Sequence, residues 1–255
     1  PADPDVWMRP AKRTDGTDYY EYILLYTDDA LVLSENAEKV LRNDLGRYFT
    51  LKEESIGPPK IYLDGSVRKV QLDNGVECWT FSSSQYVQAA VKNVEEYLSK
   101  RTDDRWNLPT KADTPLRTTY RPELDVSPEL KPVDAAYYMS IIGILRWIVE
   151  LGRIDICLEC SMMSSHLAMP REGHLYQVFQ IFGYLKKYHN TEMVYDPSDP
   201  VVDEASFERR DWTSSEFGHI QGTEELPANM PEPRGLGFVM RAKVDADHAG
   251  DTVTR

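Results

Sequence analysis

Little of this 255-residue chain is cysteine, and basic residues are fewer than acidic ones. Three cysteines cannot build the disulfide framework of a small secreted domain, so the composition favours a reducing, intracellular setting. Lys and Arg number 29 against 42 Asp and Glu, a formal charge of −13. That balance excludes a surface that grips phosphate all round and leaves room only for a local basic groove. Long apolar runs are missing too. The longest, Tyr137 to Leu151, is too short to span a bilayer and carries Arg146 and Glu150 near its end, so no membrane partner is expected. Neither a start Met nor a signal peptide opens the chain, which begins Pro1-Ala2-Asp3-Pro4-Asp5 and reads as a soluble piece of something longer. Apolar residues, at 41%, are plentiful enough for a packed core and rule out wholesale disorder.

The first apolar runs are Tyr22-Ile23-Leu24-Leu25-Tyr26 and Ala30-Leu31-Val32-Leu33, broken by Thr27-Asp28-Asp29. The pattern predicts a hairpin whose strands are covered on both faces. Ser34 offers an N-cap, and Ala37, Val40, Leu41, Leu45, Tyr48 and Phe49 follow at helical spacing, predicting a helix over one face of that hairpin. After Gly57-Pro58-Pro59, Asp73-Asn74-Gly75 marks a second hairpin joining 67–72 to 76–81, because Asn-Gly tolerates the positive φ angles such turns require. A helix with the stripe Val87, Val91, Val94 and Leu98 begins at Ser84. Residues 101–132 hold five prolines and read as a long polar connection. Three helices are predicted next, at 133–151, 154–169 and 172–188. An acidic, proline-rich linker or insertion occupies 197–235, and a strand restarts at Gly237 and runs into Asp245-Ala246-Asp247.

Two adjacent carboxylates at a hairpin break repel each other and gain no obvious fold stability, so Asp28 and Asp29 point to a bound divalent cation. The competing explanation is an ordinary solvated acidic turn. Cys157-Leu158-Glu159-Cys160 invites a metal or redox reading. With His166 and His174, however, it lacks the spacing of common zinc modules, and thiols packed in a helix core are the better account. Met162-Met163 reads as helix packing, and Lys186-Lys187 as favourable charge at a helix C-terminus. Lys100-Arg101, Arg105, Lys111, Arg117 and Arg121 form the densest basic stretch, read as a solvated face with the alternative of a phosphate track.

Tyr26-Thr27-Asp28-Asp29 between apolar strands, followed by a helix and Phe49-Thr50-Leu51-Lys52, resembles the Tyr-X-Asp-Asp hairpin of reverse transcriptases. An ordered series of likenesses to copia-type retrotransposon polyproteins extends it. These are Asp3-Pro4-Asp5-Val6-Trp7, Tyr62-Leu63-Asp64-Gly65, Ser84-Gln85-Tyr86-Val87, Thr114-Pro115-Leu116, Tyr138 with Ile142-Gly143-Ile144-Leu145, Arg153-Ile154-Asp155-Ile156, and Phe182-Gly183-Tyr184-Leu185-Lys186. The resemblance implies an α+β fold: a partial right-hand polymerase palm at 1–83, made of antiparallel hairpins plus a helix, and thumb-like or connection helices at 84–196. It implies RNA-directed DNA synthesis with two magnesium ions, manganese being an alternative. Template RNA or DNA with a primer, and deoxynucleotides, would be the partners. Asp28 would bridge the metals, Asp29 would support the site more peripherally, and Tyr26 would shape the floor near the primer end. The strands around Asp73-Asn74-Gly75 would lie where the family holds the primer.

Asp245-Ala246-Asp247-His248-Ala249-Gly250 resembles the opening of the copia-type ribonuclease H domain, so 236–255 would be its truncated start and Asp245 its first metal-binding carboxylate. The upstream palm strand with its aspartate, and the fingers, would have to come from outside this chain, so the piece is expected to be inactive alone. Thr27, Asp64, Ile154 and His248 stand where the family usually has Val, Gly, Pro and Trp. A degenerate or repurposed remnant serving as a binding module is therefore the second expectation, and an unrelated acidic protein a remote third. For the element as a whole the resemblance implies an intracellular location, cytoplasmic in a virus-like particle or nuclear.

Overall fold

The computed structural model describes residues 3–101, 106–198, 228–232 and 234. These fall into two compact units, one built on 3–56 with 197–198, 228–232 and 234, the other on the described part of 57–196. The helices and antiparallel sheets of both make a mixed α and β chain. No helix among the described residues is long and apolar enough to cross a membrane.

The first unit is a sheet of three antiparallel strands in the order β1 (Val6–Lys12), β2 (Asp18–Tyr26), β3 (Asp29–Leu33). Sequence patterning reads Asp3 and Asp5, beside Pro4, as a turn-like start and names no strand over the residues of β1. A strand containing Pro10 forms there because β1 is an edge, where a residue without an N–H is tolerated. A polar row crosses the sheet on one face. Arg9 Nε donates to Glu21 Oε2 at 2.7 Å, and Ser34 Oγ donates to Glu21 Oε1 at 2.7 Å. Burial pushes the Glu21 carboxyl up, but the hydrogen bonds from Ser34 and Arg9, with the Arg9 charge, outweigh it and hold the group below its ordinary value. Arg9 also pairs with Asp44 at 2.7 Å, which fixes the helical segment 37–47 to this face. Glu232 and Arg234, at the end of the acidic region, hold to β2. Tyr20 Oη donates to the Glu232 carbonyl at 2.6 Å, and Arg234 pairs with Asp18 at 3.2 Å.

Two expectations for this unit are corrected. The strands are half-buried rather than covered on both faces, with Trp7 62% and Leu33 49% exposed. The helix from Ser34 is instead a short α1 (Ala37–Lys39), a π-turn (Val40–Asp44) and a 3₁₀ turn (Leu45–Arg47), in which only Val40 is buried. Asn43, Asp44 and Gly46 are poor helix formers placed where the stripe should continue. Ser34 does not cap it. Its hydroxyl is engaged by Glu21 and accepts from the Asn36 N–H, and Asn36 takes the N-cap position.

The second unit pairs a four-stranded antiparallel sheet, β4 (Ile61–Tyr62), β5 (Gly65–Gln71), β6 (Glu77–Ser82) and β7 (Met193–Tyr195), with helices α2 (Ser84–Ser99), α3 (Pro132–Glu150), α4 (Cys157–Ser164) and α5 (Glu172–Lys187). The Asn74-Gly75 turn closes β5–β6 as expected, Gly75 adopting φ +83°. Sequence reasoning groups this hairpin with the acidic one in 1–83. The structure packs it with the helices instead, because β7 returns from the end of α5 to pair with β6 and Gly65 lies against the Phe81 ring. Val87 and Val94 of α2, Ile142 and Leu145 of α3, Met163 of α4, and Phe179 and Phe182 of α5 share one core. The proline-rich connection is more than a polar tether, since Trp106 and Ala112 are buried and the Pro109 backbone packs closely on Gly183.

Candidate functional site

Register brings the acidic hairpin to a point. Tyr26 and Asp29 are the last paired residues of β2–β3, so Thr27 and Asp28 alone form the turn. Two-residue turns that match strand twist need a positive φ, usually met by Gly, Asn or Asp. Here Thr27 adopts φ +53°, a strained conformation for a β-branched residue that costs about 1–2 kcal/mol. Asp28 follows in the turn and Asp29 opens β3. Tyr26, Thr27, Asp28 and Asp29 are all exposed. Directly opposed residues share a face, so Asp29 and Tyr26 lie together on the sheet face carrying Leu24 and Leu31.

Asp5 reaches the same end of the sheet, its carbonyl accepting the Leu25 N–H at 2.9 Å. The alternation that puts Asp29 with Leu24 puts Asp5 with Leu25, on the other face. The missed β1 strand is therefore adjacent to the hairpin without placing its carboxylate beside Asp29. Among the described residues no three His, Cys, Asp or Glu side chains gather into a metal-binding group. Two exposed carboxylates are nonetheless the donor set with which magnesium is commonly held when substrate phosphates and water supply the remaining ligands. Asp28 and Asp29 fit that role and no larger one. Asp245 lies outside the described residues, as do nearly all of 197–235 and all of 236–255.

In the second unit the hairpin expected near a primer carries Lys69 over the Trp79 ring at 5.2 Å, with Tyr195 opposite Trp79 on β7. Two members of the basic stretch are committed within the fold, while Lys100, Lys111 and Arg121 are exposed. Arg101 pairs with Asp134 at 2.5 Å, and Arg117 hydrogen-bonds the Tyr176 hydroxyl and stacks on its ring; Arg105 lies outside the described residues. Lys186 and Lys187 are paired with Glu95 and Asp113 rather than left to the helix end. Arg153 and Asp155 form a two-pronged pair, Nε to Oδ1 and Nη2 to Oδ2 at 2.8 Å each, and Tyr184 Oη donates to Oδ2 at 3.0 Å. Burial raises the Asp155 carboxyl, but the Arg153 bonds and charge and the Tyr184 bond prevail and lower it. That block of the sequence is thus a structural clamp between the start of α4 and α5.

No protein-family model matches the chain, and no solved structure matches it. A Saccharomyces cerevisiae protein named for transposon Ty5-1, YCL074W, is 28% identical over 167 residues, covering 64% of this chain and 48% of the yeast protein. The chain spans about half the length of that relative. This distant likeness points to a transposon-derived sequence.

Proposed function

We propose that the chain is part of a copia-type retrotransposon reverse transcriptase, an RNA-directed DNA polymerase, and holds the second half of its palm and the helices that follow. The observation that carries this reading is the hairpin tip: two consecutive exposed carboxylates on a two-residue turn between apolar strands. The ordered likenesses along the chain and the distant transposon relative support it.

In this reading Asp28 and Asp29 hold magnesium, with manganese as the alternative, and Tyr26 sits beside Asp29 where a primer end approaches. Magnesium bound there would supply activation of the primer 3′ hydroxyl and neutralisation of the pyrophosphate's charge. The chain's own contribution is positional. A strained turn pinned by two strands sets Asp28 and Asp29 side by side in the chain at the exposed hairpin tip, and the Arg9–Glu21–Ser34 row holds those strands together. Nucleotidyl transfer in this account also needs a further palm aspartate and the fingers.

Binding to a primer–template duplex tests the proposal. Fluorescence anisotropy across a salt series should give affinity that falls with salt along a log–log slope reflecting several phosphate contacts. A folded chain with no salt-dependent duplex binding, or one that captures a defined protein instead, would favour the repurposed binding module.

A further inference from the structure

The thiol pair set aside on sequence grounds has a different setting in the structure. Cys157 is the first residue of α4 and is exposed, whereas Cys160, one turn on, is buried. Both line one surface groove of about 390 Å³ between α3 and α4, Cys157 at its exposed side and Cys160 buried in its wall, with Arg146, Glu150, Ser161 and Ser164. Residues three apart on a helix share a face, and helix geometry places their Cα atoms about 5 Å apart. That spacing lies inside the roughly 4.4–6.8 Å range a disulfide spans. Packing alone accounts for Cys160. It does not account for Cys157, whose thiol meets solvent in the same groove.

We infer that Cys157 and Cys160 form a redox-modifiable pair, with Cys157 the attacking thiol toward small-molecule disulfides of the glutathione class and Cys160 the resolving thiol. The Cys157 thiolate attacks one sulfur of glutathione disulfide, forming a mixed disulfide and expelling one glutathione thiolate. The Cys160 thiolate then attacks the Cys157 sulfur, closing the Cys157–Cys160 bond and expelling the second glutathione thiolate. Two protein thiols have lost two protons and two electrons, and one glutathione disulfide has become two glutathiones. The order follows from access: only Cys157 is open to the incoming disulfide. Burial raises the Cys160 thiol, with the Arg146 charge and Ser164 acting against it, which suits a second step fast only once the partner sulfur is adjacent.

The test treats the whole folded chain with glutathione disulfide, quenches with iodoacetamide and maps the 154–171 tryptic peptide by mass. Cys78, buried in β6, lies on a separate peptide and serves as the internal control. The wild type should lose two hydrogens within 154–171, about tenfold or more faster than Cys78 is modified. Cys160→Ser should stop at a stable glutathione adduct on Cys157, and Cys157→Ser should take up none. Dithiothreitol should restore both thiols. An adduct on Cys160 in Cys157→Ser, a stable Cys157 adduct in the wild type, or equal reaction at Cys78 would overturn the proposal. Circular dichroism confirms that each variant is folded before treatment.

Discussion

Replacing Asp155 by Ala strands a buried guanidinium. The Arg153 side chain is 2% exposed, and its Nε and Nη2 bonds both end on Asp155, while Nη1 is buried without a partner. Breaking a buried pair from one side costs about 3–5 kcal/mol, because the remaining charge is left unpaired. The Asp155 carboxylate is 27% exposed, so water can partly replace it and the expected cost is about 2–3 kcal/mol. Arg153→Met removes the charge and the orphaned Nη1 together and keeps much of the volume, so it should cost roughly 1 kcal/mol. Urea unfolding followed by far-ultraviolet circular dichroism reads the helices of this unit. With a slope near 2 kcal/mol per molar, Asp155→Ala should lower the midpoint by about 1 M and Arg153→Met by about half that or less. The pair also sets a pH dependence. The Asp155 carboxyl is lowered on folding, so its contribution is fully present above the unfolded value near 3.9 and is lost as pH falls through the folded value. Wild-type stability should therefore drop below about pH 4 more steeply than that of Asp155→Asn. Equal costs for the Asp155→Ala and Arg153→Met variants, or an Asp155→Ala cost below about 1 kcal/mol, would refute the clamp.

Two further variants test the backbone of the same unit. A Cβ on Gly173 would meet Asp125 Oδ2 at 1.8 Å, and that carboxylate is held by the Tyr120 hydroxyl at 2.6 Å and the Ser127 N–H at 2.8 Å. Gly173→Ala should therefore destabilise by about 1–3 kcal/mol in the same urea assay, despite the helix-propensity gain, and unchanged stability would show that the carboxylate swings away freely. Leu63 and Asp64 both adopt positive φ, +49° and +59°, in the two-residue turn between β4 and β5, where Asn-Gly is the favoured pair. The Leu63→Asn, Asp64→Gly double variant should raise the thermal midpoint by relieving about 1 kcal/mol of strain, and a lower midpoint would mean that Leu63 packing outweighs turn geometry.

What could be read from the sequence follows the range of the forces involved. The Asp73-Asn74-Gly75 turn and helices α2, α3 and α5 depend on local chemistry and stripe spacing, and they appear within a few residues of the expected limits. For the segment expected at 154–169 only Ile154–Ile156 and Cys157–Ser164 are helical, and it ends early. β7 was missed because three residues of ordinary composition become a strand only when β6, more than a hundred residues earlier, offers an edge. β1 was missed because Pro10 argues against a strand unless its edge position is known. At the hairpin, the residue types of Tyr26, Asp28 and Asp29 were visible. The positive φ at Thr27 was not, since nothing in Tyr-Thr-Asp-Asp announces a turn that glycine would normally take. Neither was the placement of Asp5 on the opposite face from Asp29, which depends on register.

The central claim is that Asp28 and Asp29 form a metal-binding point rather than a solvated acidic turn. Manganese-induced line broadening in the amide NMR spectrum, with a deoxynucleoside triphosphate present, tests it most directly. The account predicts broadening centred on residues 26–30 at the lowest manganese additions, absent from an Asp28→Asn, Asp29→Asn chain that is still folded. Broadening spread over the acidic surface and unaltered by that double substitution would contradict it.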